Sequence, residues 1–333
     1  MPTRAACCYV HIGAPKTGST FLQRVFCENQ AALARAGVLY PQVSLRGFGH
    51  HDLAFLLAGG YPDWATPQDR SLHDLGKDLA GAVESHAGSV LLSSEDFYLF
   101  PEPGRLMNFL ESTGALTGRA ARIVVYLRRQ DEAHESWYNQ RVKAQGETEG
   151  IEACVSQSYE LWDYQRRLAP WAAVFGEDAL IVRRYVSPAE HWHSLIDDMM
   201  QVLAIENFVA APHEASVNSG ENRDILEFQR VLNRLPLSVQ EKRRFHKELI
   251  MLSGRAKGLG LFDERPLLNL AAREELMQRY ALSNAAVAER WFGGAPLFPE
   301  PPAKASATEA VAETGLTPAK MLYILGWLLA YEA

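Results

Sequence analysis

The segment HIGAPKTGST near the N-terminus combines glycines, hydroxyl side chains and a lysine, the residue types that bind phosphate groups. Gly13, Gly18, Ser19 and Thr20 fall at the ends of the G-x-x-x-x-G-K-[ST] pattern of nucleoside triphosphate sites. The lysine, however, stands inside the loop as Lys16, and serine takes its expected place. The segment therefore predicts an anion-binding loop at a strand–helix junction, either a broken triphosphate site or an intact site for another ligand. A glycine-containing turn without a ligand is the alternative.

Two further segments place polar residues directly after apolar, strand-like runs. Arg128 follows the run at 122–127, and Ser136 comes eight positions later on the next predicted helix. A guanidinium can fork onto a phosphate, whereas an arginine after a strand can equally form a surface ion pair. Glu95 follows the run at 89–92 and is a candidate general base or, alternatively, part of a helix cap.

A pair of histidines in the glycine-rich segment GFGHHDL gives other candidates for the base. His50 or His51 has a suitable pKa for proton transfer, and helix capping or simple exposure is the alternative. Asp96 is a remote candidate for a Mg²⁺ ligand, which leaves a kinase interpretation open. Four basic residues form a candidate acceptor patch or a solvated surface: Arg141, Lys143, Arg166 and Arg167.

These candidate residues can form one site only if the strands that precede them end at the same edge of a sheet. Short apolar, β-branched runs predict buried strands at 7–12, 37–40, 89–94, 122–127 and 178–185. Helical segments lie between them, among them one from Ser19 to Gly37 and one that opens with Ser187, Pro188 and Glu190 as a capping box. Alternating strands and helices predict an α/β fold, a mainly parallel sheet flanked by helices. Ligands of such sheets bind outside the carboxyl ends of the strands.

The later part of the chain is predicted to be helical. From about residue 220, amphipathic patterns cover 221–235, 238–253 and 270–291. The Pro-, Ala- and Glu-rich segment 299–315 has the composition of a linker. An apolar helix is expected over 316–333, beginning near Pro318. It could pack on its own chain, pair with another chain or lie at a membrane surface, and packing is the default expectation. The predicted organisation is thus a domain over 1–298, a linker and a C-terminal helix.

Composition narrows the functional class. The 333 residues carry a net charge of −7, which argues against a nucleic-acid-binding protein. The four cysteines have no C-x-x-C spacing, so we expect no zinc site and a reduced, cytoplasmic setting. The sequence offers no signal peptide and no apolar run long enough to span a bilayer.

Taken together, the two motif windows resemble the sulfotransferase family that uses 3′-phosphoadenosine-5′-phosphosulfate, PAPS. The first family motif, P-K-[ST]-G-[ST]-[ST], is matched in full by Pro15, Lys16, Thr17, Gly18, Ser19 and Thr20. The second family motif places an arginine and a serine eight positions apart after a central strand, as Arg128 and Ser136 stand here. The R-K-G-x-x-G segment of the cytosolic phenol and steroid enzymes is absent from the sequence.

The resemblance implies a P-loop-type fold and a division of roles. Residues 15–20 would bind the 5′-phosphosulfate, and Arg128 with Ser136 would bind the 3′-phosphate. Lys16 would support the departing nucleotide, and Glu95 or His51 would take the proton of the acceptor. The acceptor would be a hydroxyl or amine, in the style of bacterial enzymes that act on carbohydrates or glycoconjugates, and no metal would be required. A P-loop kinase and a non-catalytic nucleotide-binding protein are the alternatives.

Overall fold

The computed structural model describes residues 5–100, 102–185, 188–210, 222–299 and 315–331. The described residues fall into two compact units. The first unit draws on Met1–Arg128, Asp163–Val217 and Ser283–Leu297, and the second on Arg129–Trp162, Asn218–Leu282 and Phe298–Ala333. The two units are described separately, and the domain boundaries expected from the sequence stay a prediction.

The first unit contains the sheet. Its five strands are β1 (Cys7–His11), β2 (Val38–Leu39), β3 (Ser89–Ser93), β4 (Ala120–Leu127) and β5 (Leu180–Arg184). All neighbours pair in parallel, and the order across the sheet is β2-β3-β1-β4-β5. The prediction of a mainly parallel α/β sheet flanked by helices is confirmed.

The strand order explains why a site is expected at the end of β1. From β1 the chain runs outward to β2 and returns through β3, and it then crosses to β4 on the other side of β1. The crossovers on the two sides of β1 therefore diverge, which opens a crevice at its carboxyl end. The segments that follow β1, β3 and β4 carry the loop, Glu95 and Arg128, so the predicted strand ends belong to three adjacent strands.

Helices account for most of the remaining described residues. They are α1 (Ser19–Glu28), α2 (Gln30–Arg35), α3 (His51–Ala58), α4 (Leu72–Glu84), α5 (Asp96–Leu99), α6 (Pro103–Ser112), α7 (Gln130–Gln145), α8 (Ile151–Gln157), α9 (Tyr164–Phe175), α10 (Pro188–Leu203), α11 (Arg223–Leu232), α12 (Val239–Ala256), α13 (Leu270–Arg279), α14 (Ala281–Phe292) and α15 (Pro318–Tyr331). Short 3₁₀ turns cover Tyr159–Trp162 and Glu177–Ala179.

The core of the first unit lies between one face of the sheet and helices α1 and α10. Tyr9, Leu91 and Val124 from three strands pack there with Phe26 of α1 and Met199 of α10. All five side chains are almost fully buried. Burial of this kind is the main stabilising contribution to such a layer, at about 25 cal/mol per Å² of apolar surface. The packing fixes α1 against the sheet, and α1 begins where the anion-binding loop ends.

Two predicted helices are each divided in the structure. The helix expected from Ser19 to Gly37 breaks at Asn29, whose side-chain amide donates to the carbonyl of Val25 at 2.8 Å and whose φ is −115°. Asparagine competes with helical backbone bonding in this way. The segment 270–291 breaks at Tyr280, where φ −91° and ψ 2° interrupt the helical ladder. Neither break leaves a signal in the apolar periodicity.

Two predictions fall on residues that the structure does not describe. The linker expected over 299–315 lies almost wholly outside the described residues. So do Ser187 and the side chain of Glu190 in the expected capping box, although α10 does begin at Pro188.

The second unit has a helical core that includes α15. Ile324 and Leu328 of α15 pack with Phe228 of α11 and with Leu249 and Leu252 of α12. The last helix is therefore held by its own chain along one face, while other leucines of α15 remain exposed. A contact of this helix with another copy stays a prediction. Among the described residues, no helix combines the length and the apolar character needed to cross a bilayer.

Candidate active site

The loop between β1 and α1 has the backbone of an anion-binding turn. Lys16 and Gly18 have φ values of 66° and 77°, and Gly18 is the N-cap of the ten-residue helix α1 without any side-chain cap. The first backbone N–H groups of α1 have no carbonyl partner within the helix itself, and they lie at the turn together with the positive end of the helix dipole. A Cβ added at Gly18 would lie 2.7 Å from Cδ2 of Leu195, so a side chain there would force Leu195 to move and would also have to adopt a positive φ.

The non-glycine residue in left-handed backbone is the lysine of the motif. A positive φ costs a lysine about 1–2 kcal/mol, and strain of this size is retained where the surrounding structure enforces it. Within the motif, Pro15 is buried, Lys16 is half-buried and Thr20 is exposed. Thr17 is fully buried and its hydroxyl donates to the carbonyl of Ala14 at 2.6 Å, which closes the turn.

Two buried polar atoms beside the loop lack a hydrogen-bond partner. They are Oγ of Ser19 and Nε2 of His11, and both side chains are at least nine-tenths buried. A Cβ added at Gly13 would lie 2.4 Å from the first atom and 3.3 Å from the second, so both face the same turn. An unpaired buried polar group costs about 1–3 kcal/mol, and a bound anion would satisfy the serine hydroxyl.

His11 itself is neutral at physiological pH. Burial lowers its pKa to about 4. Its Nδ1 lies 2.8 Å from Oγ of Ser93 at the end of β3. The ring therefore connects the end of β3 with the anion-binding loop, without adding a charge.

The structure brings Arg128 to the loop. Its Nη1 donates to the carbonyl oxygen of Lys16 at 3.2 Å, although 112 positions separate the two residues in sequence. The backbone N–H of Arg128 donates to the hydroxyl of Tyr164, and that hydroxyl donates to the backbone carbonyl of Arg128. The guanidinium carbon also lies 5.4 Å from the ring centre of Tyr185. Two residues predicted to bind one ligand therefore do share one edge of the sheet.

The other predicted partner of Arg128 belongs to the second unit. Ser136 lies on α7 and is half-buried. Its assignment to the 3′-phosphate rests on motif spacing and stays a prediction. Phe21, which follows the motif, packs against the core of the first unit.

The two adjacent histidines differ sharply in their surroundings. His50 is fully buried; the backbone N–H of Ser93 donates to its Nδ1 at 3.1 Å, and its Nε2 lies 2.9 Å from the carbonyl oxygen of Pro41. Because the first bond uses the lone pair of Nδ1, Nε2 carries the proton and donates to Pro41. Burial lowers the pKa of His50 to about 4. Both nitrogens are thus engaged in holding the backbone, which leaves His51 as the candidate base of the pair.

His51 is oriented by a carboxylate. Its Nδ1 lies 2.6 Å from Oδ2 of Asp96 and 3.0 Å from Oγ of Ser94. A carboxylate only accepts hydrogen bonds, so the proton is on Nδ1 and the neutral ring has its lone pair on Nε2. Burial lowers the pKa of His51, but the hydrogen bond to Asp96 and the charge of Glu95 outweigh it, and the net pKa is raised. Nε2 is therefore a base atom with a fixed direction.

Glu95 lies on the other side of that base atom. Its Oε2 is 3.9 Å from Nε2 of His51 and accepts a 2.8 Å hydrogen bond from Nε2 of Gln23. A Cβ added at Gly49 would lie 2.7 Å from Nε2 of His51 and 2.9 Å from Oε1 of Gln23. A side chain at position 49 would therefore press on the imidazole and on Gln23. The two predicted base candidates, Glu95 and His51, lie in one cluster.

Sequence reasoning missed several members of this site. Gln23 and Gly49 carry no motif, and their roles depend on contacts distant in sequence. Asp96 is expected from the sequence only as a remote candidate for a metal ligand, whereas its carboxylate bonds to His51. Tyr185 could have been found, because it follows β5 directly, as Arg128 follows β4.

No family model matches the chain. An uncharacterized protein of Archaeoglobus fulgidus is 28% identical over 178 residues, which are 53% of this chain and 47% of the archaeal protein. The chain thus spans about half the length of that relative. The crystal structure of a sulfotransferase from Alicyclobacillus acidocaldarius aligns with 81% of this chain and 99% of its own, at 14% identity and a TM-score of 0.41.

Proposed function

We propose that the protein is a sulfotransferase that uses PAPS as donor and a hydroxyl group as acceptor. The observation that carries the proposal is the hydrogen bond between Arg128 and the carbonyl of Lys16. It joins the leading residues of two motifs that are remote in sequence. One bisphosphorylated nucleotide could bind both Lys16 and Arg128, whereas a glycine turn without a ligand would need neither residue.

The residues at the loop fit such a donor. The N–H groups around Gly18 and the unpaired hydroxyl of Ser19 would bind the 5′-phosphosulfate, together with Lys16. Arg128 would exchange its carbonyl partner for the 3′-phosphate, a better acceptor for a guanidinium. Ser136 keeps its proposed part in that contact from motif spacing alone. Tyr185, beside Gly18 and Arg128, is an additional candidate contact for the nucleotide.

PAPS, when bound, supplies the sulfuryl group that is transferred to the acceptor oxygen. The chain itself supplies proton transfer and charge. Nε2 of His51 accepts the proton of the acceptor hydroxyl, and Asp96 holds the ring in the tautomer that this requires. Glu95, 3.9 Å away, stabilises the imidazolium that forms. Lys16 offers positive charge where the leaving phosphate becomes more negative, which favours the transition state over the ground state.

Calorimetry on the full chain tests the donor assignment. We expect adenosine 3′,5′-bisphosphate to bind without metal in the micromolar range, roughly −8 kcal/mol. Arg128→Ala should lose at least ~1.5 kcal/mol of that affinity, about tenfold, because a charge-assisted hydrogen bond is removed. Arg35→Ala, an exposed arginine on α2, is the matched control and should bind normally.

Two comparisons in the same experiment separate the alternatives. Adenosine 5′-phosphate, which lacks the 3′ group, should bind more weakly, and equal affinity would contradict the role of Arg128. Binding of ATP that requires Mg²⁺ and exceeds that of the bisphosphate would favour a kinase. Nucleotide binding without sulfuryl transfer to any acceptor would favour a non-catalytic binding protein.

A further inference from the structure

Three aromatic rings continue from the candidate base along the surface of the first unit. Phe55 lies one helical turn after His51 on α3, with ring centres 6.4 Å apart. The rings of Tyr61 and Trp64 meet Phe55 at 5.7 and 5.6 Å, with interplanar angles of 60° and 85°. Edge-to-face contacts of this kind fix ring orientation. We name Phe55, Tyr61 and Trp64 the aromatic cluster.

The members of the cluster differ in exposure. Phe55 is 5% exposed and serves as the buried centre, whereas Trp64 is 66% exposed. The hydroxyl oxygen of Tyr61 is buried and has no hydrogen-bond partner. Tryptophan and tyrosine residues with one apolar side and one polar group available are typical of binding surfaces. The cluster thus offers an exposed indole that is held against a buried ring.

Arg46 holds the cluster in place. Its guanidinium carbon lies 6.0 Å from the ring centre of Phe55 and 5.5 Å from that of Tyr61. Its Nε bonds to the buried carboxylate of Asp52 at 2.7 Å, and its Nη2 donates to the carbonyl of Thr66 at 2.6 Å. One side chain therefore ties α3 to the loop that carries Trp64. A surface ordered before binding loses less entropy when a ligand arrives.

We infer that the aromatic cluster is the acceptor subsite and that the acceptor is an oligosaccharide, with one sugar ring stacked on Trp64 and a hydroxyl of a neighbouring ring at His51. This inference rests on the proposed function. The two ring-centre separations place the indole no farther than about 12 Å from the imidazole, a distance that two linked sugar rings span. Because Nδ1 of His51 is bonded to Asp96, Nε2 is the ring nitrogen that is left for the reacting hydroxyl.

The exposure of Trp64 selects a sugar over an aryl acceptor. The C–H face of a pyranose carries slight positive charge and matches the negative face of an indole, as cations do. The sugar hydroxyls on the other side stay in water, which suits a ring that is two-thirds exposed. A small phenol gains affinity mainly from a concave apolar site that encloses most of its surface.

Titration calorimetry on the full chain saturated with adenosine 3′,5′-bisphosphate tests the inference. The probes are cellopentaose, chitopentaose and maltopentaose, with 4-nitrophenol as the aryl probe. At least one pentasaccharide should bind. Trp64→Ala should weaken that binding at least about tenfold, as truncation of an aromatic anchor does, and Trp64→Phe should weaken it less. Trp291→Ala, a half-exposed tryptophan on α14, is the matched control.

Several results would overturn the inference. They are the absence of binding by all three pentasaccharides, wild-type affinity in Trp64→Ala, and Trp64-dependent binding of 4-nitrophenol instead. Nucleotide affinity, measured on the same variants, should not change. If the wild-type chain binds a pentasaccharide through Trp64 but does not bind the bisphosphate, the proposed function fails while the sugar site stands.

Discussion

Replacement of Asp96 by asparagine tests whether His51 is an oriented base. The substitution keeps the shape of the side chain and removes the charge behind the 2.6 Å bond to Nδ1. Both side chains are less than one-fifth exposed, so solvent screens this contact little. A charge-assisted hydrogen bond contributes ~1.5–3 kcal/mol and a neutral one about 1, so the loss is ~1–2 kcal/mol. That corresponds to a five- to thirtyfold shift in the population with Nδ1 protonated.

The pKa of His51 should fall in the same variant. Burial lowers that pKa, and the bond to Asp96 is the largest effect that opposes it. Without this carboxylate the ring should lose its proton at lower pH than in the wild type. A base acts when it is deprotonated, so the acid limb of kcat/KM should move to lower pH while the plateau falls.

Nitrogen-15 spectra of the histidine rings measure both effects without an acceptor. The resonances of His51 are identified by their disappearance in His51→Gln. In the wild type, Nε2 should have the shift of an unprotonated nitrogen at high pH, and Asp96→Asn should move it toward the protonated value. Asp78→Asn, which removes an exposed partner of Arg70, is the control and should change neither. An unchanged tautomer and an unchanged titration midpoint in Asp96→Asn would refute the reasoning.

Three further outcomes are expected from unfolding experiments. Gly18→Ala should lower the free energy of unfolding by ~1–3 kcal/mol more than Gly37→Ala does. Both positions have positive φ, but of the two only position 18 has an atom 2.7 Å from the added Cβ. Equal losses would mean that the loop relaxes. Burial lowers the pKa of His50 to about 4, so between pH 6.5 and 4 this side chain binds a proton in the unfolded chain but not in the folded one. The free energy of unfolding should therefore fall by about 2 kcal/mol for this group from pH 7 to 5. The His50→Gln variant should lack that part of the pH dependence. Lys320→Met should lower the free energy of unfolding, measured in urea, by about 3–5 kcal/mol, since it leaves the carboxylate of Asp224 buried without the ammonium that lies 2.7 Å away. A loss below about 1 kcal/mol would contradict this.

The fold was accessible from the sequence because it depends on local patterns. In the run before Arg128, every position from Ile123 to Leu127 is apolar, which is typical of strands covered on both faces. Alternation with helices then predicts a parallel sheet, and parallel strands expose their carboxyl ends at one edge. The strand order was not accessible, since it depends on which strands pair across long stretches of chain. The break at Asn29 was also missed, because an asparagine in the middle of a helix can equally point outward.

The candidate site was only partly accessible for the same reason. The loop at Lys16 and the strand-end Arg128 have recognisable local patterns. His50 and His51 are adjacent and chemically identical in sequence, and only long-range bonds to Pro41 and Ser93 remove one of them from consideration. The assignment of Ser136 to the 3′-phosphate stays a prediction.

Helix α1 connects the loop proposed for the donor with the cluster proposed for the acceptor. It starts at Ser19 in the loop, and one turn later Gln23 reaches Glu95. Each added residue in a helix turns all that follow by about 100°. A single alanine inserted between these positions would leave the turn intact and swing the amide away from the carboxylate. The chain should then still bind the proposed nucleotide, but Gln23 would no longer hold Glu95 in its position relative to the loop.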